Sequence, residues 1–185
     1  MSATTQAKPL TAEEFFLLPD PSDGSQQELV RGRIFSVPPP GGLHGVTCAK
    51  VVRKIGAFVD DHCGGHLACN DTGFITERRP DSVRGPDISY WSADRLKEIP
   101  VGYIEISPDL LIEVLSPSNT STQIRTKLQE YFAKGVHLVW VIAPEDRTIT
   151  IYRMPDEGRL LHESAVITGE DALPGFECRV RDLLP

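Results

Sequence analysis

Three residues far apart in the chain, Glu113, Lys127 and Asp87, stand where their chemistry is at odds with their surroundings. Glu113 lies inside the apolar run Leu110-Leu111-Ile112-Glu113-Val114-Leu115, bounded by Pro108-Asp109 and Ser116-Pro117. A short, nearly continuous apolar run of this kind reads as a strand buried on both faces. Alternation puts Leu111, Glu113 and Leu115 on one face and Ile112 and Val114 on the other. A lone buried carboxylate is costly unless a cation, a metal or a proton compensates it. Lys127 sits on the stripe Ile124, Leu128, Tyr131, Phe132 and Gly135, whose i, i+4, i+7, i+8, i+11 spacing faces a sheet. An apolar residue is expected at its i+3 position. The stem of Lys127 can pack under the helix while its ammonium reaches the sheet edge. Asp87 stands at the mouth of the strand Ile88-Ser89-Tyr90-Trp91, behind Pro86, which favours an extended entry.

Two carboxylates can hold a hard divalent cation such as Mg²⁺, which keeps several of its waters. Such an ion polarises a phosphodiester and lowers the pKa of a bound water. A nearby ammonium orients the nucleophile or balances charge on the phosphate. The same three residues also admit structural readings. These are an internal Glu113–Lys127 ion pair, a lysine at the stripe's edge with its head in water, and a turn aspartate after proline.

The elements that must position these groups follow from periodicity and punctuation. Thr11 to Leu18 opens like a capped helix, with Thr11 as N-cap, Glu14 at the capping-box position and Pro19 as the stop. Glu28-Leu29-Val30 and Arg33 to Val37 flank Arg31-Gly32 as a hairpin. Pro38-Pro39-Pro40-Gly41-Gly42 is a loop, and no GK[ST] follows it to make a phosphate-binding loop. A helix spans roughly His44 to Cys63, with Val51, Val52, Ile55, Phe58 and Val59 as its apolar stripe and Gly64-Gly65 as its end. Short strands are expected at His66 to Asn70 and Gly73 to Thr76. A helix runs from about Thr120 to Lys134, Val136 to Ile142 is a second buried strand, and Thr148 to Tyr152 pairs with it. The tail to Pro185 holds short strands and loops. A right-handed crossover through the Thr120–Lys134 helix makes the strands on either side of it parallel neighbours. The class is α/β or mixed α+β, a mixed sheet flanked by helices.

At 185 residues with 40% hydrophobic content, the chain has room for a sizeable core. Residues 1–10 are expected as a disordered polar tail and 11–185 as one domain. No stretch approaches the apolar length of a membrane span, and the N-terminus lacks the apolar segment of a signal peptide. Cys48, Cys63, Cys69 and Cys178 form no CxxC pair and are expected as reduced thiols in a cytoplasmic protein. A net charge of −7 argues against a general nucleic-acid coating protein. It leaves room for a local basic groove, for which Arg78-Arg79 with Arg84, and Arg31 with Arg33, are candidates.

Pro86-Asp87, Ile112-Glu113-Val114, Ser116-Pro117-Ser118, Lys127 with Tyr131, Gly135-Val136 and Trp140-Val141-Ile142 with Pro144 form an ordered block. The block resembles the Uma-type restriction endonucleases of the PD-(D/E)XK nuclease superfamily. The likeness extends through Glu28 to Gly32, Pro38 with His44, and Gly73-Phe74. It implies a restriction-endonuclease-like fold, a four-stranded mixed sheet core flanked by helices. It also implies Mg²⁺-dependent (or Mn²⁺-dependent) cleavage of DNA by a homodimer. Asp87 and Glu113 would be metal ligands, the Val114 carbonyl a third, and Glu28 a further acidic position at the metal. Lys127 would be the catalytic lysine, and His44 matches a recurrent position to which no role attaches.

Two departures bear on activity. The superfamily's usual lysine position, two after the second acid, is Leu115, and the aspartate often found four residues before the relocated lysine is Gln123. The alternative is a catalytically silent scaffold that keeps the fold for dimerisation or DNA binding.

Two further constellations compete. His62, Cys63, His66 and Cys69 lie close in sequence, but their spacing matches no usual zinc finger or ribbon. The structural reading there is a helix end, with His62 at the dipole and small apolar thiols. A cysteine nucleophile, Cys63 or Cys48 beside a histidine, has no local signature. Trp91, Trp140, Tyr90 and Tyr152 lie mostly in strands and read as core.

Overall fold

A computed structural model of the chain describes residues 8–185. The expected tail therefore lies outside the described residues as far as position 7. Lys8 to Leu10 are described, and the Leu10 N–H donates to the Gly32 carbonyl at 3.0 Å, so the end of that stretch is tied to the hairpin.

The chain opens with α1 (Ala12–Phe16), and its capping box forms as the sequence predicts, Thr11 and Glu14 each accepting from the other's backbone N–H. Strands β1 (Gln26–Val30) and β2 (Arg33–Val37) make the expected hairpin. Arg31 and Gly32 take φ of 51° and 74°, the two positive values that a type I′ turn demands. Helix α2 (Gly42–Phe58) starts two residues before the predicted His44 and runs into a π-helical turn, Val59–Cys63, that ends at Gly64. There follow β3 (His66–Cys69), β4 (Phe74–Glu77), β5 (Ser82–Arg84), β6 (Ile88–Trp91) and β7 (Leu110–Val114). Helix α3 (Ser121–Lys134) ends at Gly135, whose φ of 95° makes it a left-handed cap. The rest comprises β8 (Leu138–Ala143), β9 (Thr148–Met154), β10 (Glu157–His162), β11 (Val166–Thr168) and β12 (Glu177–Arg179).

The central sheet has the order β10-β9-β8-β7-β6-β3. Only the β7–β8 pair is parallel, joined by α3, as the crossover argument requires. The four-stranded core expected from the resemblance is thus extended by an edge strand on each side. A second sheet, β2-β1-β5-β4, is wholly antiparallel. Strand β5 was not expected from the sequence: Ser82-Val83-Arg84 is three residues long and carries no alternation to read.

Both faces of the central sheet are covered. One face buries Leu110, Ile112, Val114, Trp140 and Ile142 against Val51 and Ile55 of α2 and against Leu173 and Phe176 of the C-terminal segment. The other buries Leu111, Val139 and Val141 against Leu128 and Tyr131 of α3. The division of the β7 side chains is the one that alternation predicts, and it aims Glu113 at α3. Among the described residues no helix is long and apolar enough to cross a membrane.

Candidate active site

The acidic pair comes together through strand register. Ile88 of β6 pairs with Ile112 of β7 in antiparallel fashion. One further step along that register sets Asp87 opposite Glu113, where the two strands part. Both residues line a cavity of about 680 Å³, together with Glu28, His44, Asp71, Arg84, Val114 and Lys127. Its mouth is formed by Phe35 to Gly41 on one side and Ser116 to Asn119 on the other. The N-termini of α2 and α3 both open on it through Gly41 and Thr122.

Glu113 has two protein partners. Lys127 donates from Nζ to both carboxylate oxygens at 3.2 Å, and the Tyr131 hydroxyl donates to Oε1 at 2.5 Å. The wrong-face lysine of α3 therefore does reach the buried acid, and Tyr131, one turn further along the same face, assists. Burial pushes the Glu113 carboxyl up to about 7, Lys127 and Tyr131 pulling against it and the charges of Asp87 and Glu28 adding to it. Burial opposes the Lys127 ammonium, but Glu113 and Glu28 outweigh it and hold the amine charged. Glu28 lies 3.0 Å from Lys127 Nζ and accepts from Arg84 Nη1 at 2.8 Å and from the Gly85 N–H at 3.2 Å. Desolvation works against the Glu28 carboxylate, and Lys127 and Arg84 overcome it to keep its pKa low.

Asp87 is held from the other side. Its Oδ2 accepts the Val114 N–H at 2.7 Å, and its Oδ1 lies 3.0 Å from His44 Nε2. The N–H and C=O of a strand residue leave by the same edge, so the Val114 carbonyl leaves β7 on the Asp87 side. The hydrogen bond to Asp87, joined by one to Cys48, pushes the His44 imidazole up to about 10. Asp71 adds a further acid to the wall. Burial first, and then the charge of Asp87, raises it to about 6, and Gln26 Nε2 donates to it.

The cavity thus holds four carboxylates against one lysine, one arginine and one histidine. Hard oxygen donors from Asp87, Glu113 and the Val114 carbonyl suit a dication such as Mg²⁺. A raised Glu113 pKa is what a buried acid shows when its protein cations do not fully compensate it. The residues present fit the ion.

Several sequence expectations change. Gln123, the departure from the family's frequent aspartate, spends its side chain on capping α3: its Oε1 accepts from the Thr120 N–H at 2.8 Å and from the Thr120 hydroxyl at 3.0 Å. The proposed basic groove does not form from Arg78 and Arg84. Arg78 is bound by Glu13, Asp81 and Glu105, and Arg84 is buried between Glu28 and Glu130. His62, Cys63, His66 and Cys69 do not converge. Among the described residues the one group of three metal-type side chains with ligand atoms all within 4.8 Å is His44, Cys48 and Asp87. All four cysteines are free thiols. Asp71 escaped the sequence reading because an Asn-Asp turn carries no signal by itself, and Cys48 was weighed there only as a nucleophile, not as a neighbour of Asp87. His44 was noticed only by its recurrent position.

A mixed sheet crossed by α3, with acids at the parting ends of β6 and β7 and a lysine delivered from the crossover helix, defines a restriction-endonuclease-like fold. The chain belongs to the Uma2 family, described as "putative restriction endonuclease", whose profile matches residues 12–181. A crystal structure from Anabaena variabilis ATCC 29413, titled as a "putative nuclease belonging to DUF820", superposes with a TM-score of 0.77 at 25% sequence identity. The match covers 95% of this chain and 97% of that one. Among curated proteins none matches the chain.

Proposed function

We propose that this protein is a Mg²⁺-dependent endonuclease that hydrolyses phosphodiester bonds in DNA, with Asp87, Glu113 and the Val114 carbonyl as the metal-holding groups and Lys127 as the catalytic amine. The observation that carries this reading is the convergence of Asp87, Glu113 and Lys127 on one cavity, from three separate elements. Membership of a family described as restriction endonucleases supports the nuclease class. When bound, the ion would supply a Lewis acid for the phosphate and a water of lowered pKa.

The chain's own residues do the rest. Glu28 and Glu113 fix the Lys127 ammonium between them and keep it charged, ready to stabilise negative charge that develops on a scissile phosphate. Tyr131 orients the Glu113 carboxylate, and the Val114 N–H orients that of Asp87. The N-termini of α2 and α3, which both open on the cavity, favour a phosphate chain at its mouth. The strand β2, an edge of its sheet with Ile34, Phe35 and Val37 exposed, offers a surface for the homodimer that the resemblance suggests.

Asp87→Asn and Glu113→Gln keep the side-chain shapes and should cost at least about a hundredfold in Mg²⁺-dependent nicking of plasmid DNA, with an unchanged circular dichroism spectrum. Parental turnover by either variant would overturn the assignment. One specific observation favours a silent scaffold instead: the oxygens of Asp87 and Glu113 already have protein donors in His44, Val114, Lys127 and Tyr131. Calorimetric titration with Mg²⁺ and Mn²⁺ separates the two readings, because a saturated ion-pair network gives no divalent binding that depends on Asp87.

A further inference from the structure

His44 and Cys48 are four residues apart on α2, so they project from one face of the helix, one turn from each other. That face meets the sheet edge at Asp87. Cys48 Sγ stands 3.6 Å from His44 Nδ1, and His44 Nε2 stands 3.0 Å from Asp87 Oδ1. One ring nitrogen, the thiol sulfur and one carboxylate oxygen all lie within 4.8 Å of one another. A tetrahedral Zn²⁺, with bonds of about 2.0–2.3 Å, places its donor atoms roughly 3.3–3.8 Å apart. His44 now faces Cys48 with Nδ1 and Asp87 with Nε2, so coordination through one ring nitrogen requires the Cys48 and His44 side chains to turn towards a common point. The His44 and Asp87 side chains are 12% and 10% exposed and line the cavity, so an ion has a route in.

The donor set differs in kind from that of the nuclease centre. Asp87, Glu113 and a carbonyl are hard oxygen donors, whereas a thiolate and an imidazole select borderline and soft ions. Three protein ligands also leave a fourth position open, as in zinc sites that retain a water or an exchangeable group. Asp87 is common to both sets, and its Oδ1 already faces His44.

We propose that His44, Cys48 and Asp87 form a second metal site, selective for Zn²⁺ and similar borderline ions, whose occupation withdraws Asp87 from the Mg²⁺ centre and switches hydrolysis off. The binding half stands on the cluster geometry alone. The inhibitory half rests on the nuclease reading given above. Binding exchanges the Cys48 thiol proton and one ring proton of the His44 imidazolium for the ion and releases both to solvent, with no redox change.

Co²⁺, added to the full chain without Mg²⁺ or DNA, serves as the spectroscopic probe. One equivalent should give the near-ultraviolet thiolate-to-cobalt absorption, and Zn²⁺ should bleach it. Cys48→Ser should lose the band while retaining parental nicking in Mg²⁺ alone. In Mg²⁺-supported nicking, chelator that matches the added Zn²⁺ but lies far below the Mg²⁺ should restore the Zn²⁺-treated parent. Cys48→Ser should require at least tenfold more Zn²⁺ for the same inhibition. No band in the parent, or a band that persists in Cys48→Ser, overturns the site. A Cys48-dependent band with Zn²⁺ inhibition equal in both proteins overturns the switch. A Cys48-dependent band in a protein that nicks DNA under no condition keeps the metal site and overturns the nuclease reading with the switch.

Discussion

Burial holds the Glu113 carboxyl above its ordinary range, and its behaviour with pH is the sharpest test at the scale of single residues. A carboxyl must lose its proton before it can coordinate an ion, and burial has raised Glu113 to about 7. Apparent Mg²⁺ affinity should therefore rise about tenfold per pH unit below 7 and level off above it, as read by calorimetry. A flat profile between pH 5 and 8 would remove Glu113 from the ion's shell. The unliganded fold responds with the opposite sign. Glu113 and His44 both have folded pKa values above their unfolded ones, so the native state binds more protons across each window. Without metal, stability should fall as pH rises, from about 4.5 to about 7 through Glu113 and from about 6.5 to about 10 through His44. His44→Gln should flatten the upper part of that decline in thermal unfolding scans. Lys127→Met is a test of a different kind. It leaves two buried carboxylates without their shared cation, which costs about 3–5 kcal/mol when a buried pair is broken. Nicking should be lost and the melting temperature should drop. Mg²⁺ should raise the melting temperature of the variant more than that of the parent, because the ion would replace the missing charge. Equal shifts in both would place the ion elsewhere.

At the scale of elements, α3 is the part that carries Lys127 to the cavity, and its ends are fixed independently of that face. The Thr120–Gln123 box closes its N-terminus, and Gly135 in the left-handed region closes its C-terminus. Thr120→Ala should cost about 1 kcal/mol in denaturant unfolding. It should leave the Lys127-dependent step intact, since Lys127 is held by Glu28 and Glu113 rather than by the cap. A large loss of turnover at full folding would mean that Gln123 does serve the site. This helix was legible in the sequence because its stripe, its caps and its one misplaced lysine all agree, and β7 was legible because its apolar run has a single exception. The parallel β7–β8 pair followed from the crossover alone. What escaped was set by distant contacts. Strand β5 exists because β1 and β4 flank it, and Arg84 is buried because Glu28 and Glu130 receive it. No local periodicity encodes either. The contact of His44 with Asp87 depends on where α2 docks against the sheet, which no spacing within α2 could reveal.

Across the whole molecule, the distribution of charge decides how nucleic acid would be held. The chain carries a net charge of −7, and cations that might have built a basic groove are spent internally, Arg78 on three acids and Arg84 on two. The mouth of the cavity is instead lined by hydroxyl and amide side chains such as Ser116, Ser118, Asn119 and Thr122, beside the proline loop. Phosphate contacts made through hydroxyls, amides and helix N-termini release few counterions. On duplex DNA, log K falls with log salt by about 0.9 for each phosphate neutralised by a cation. Binding measured by fluorescence anisotropy, with Ca²⁺ in place of Mg²⁺ to prevent cleavage, should therefore show a shallow slope of about 3 or less per protomer. Divalent cation should be required for appreciable affinity, since the acidic cavity repels phosphate until an ion neutralises it. Asp87→Asn, which removes one of those negative charges together with a proposed metal ligand, should bind DNA with less dependence on the ion while failing to cut it. A steep slope, or tight binding in the presence of chelator, would mean that a basic surface away from the cavity holds the DNA.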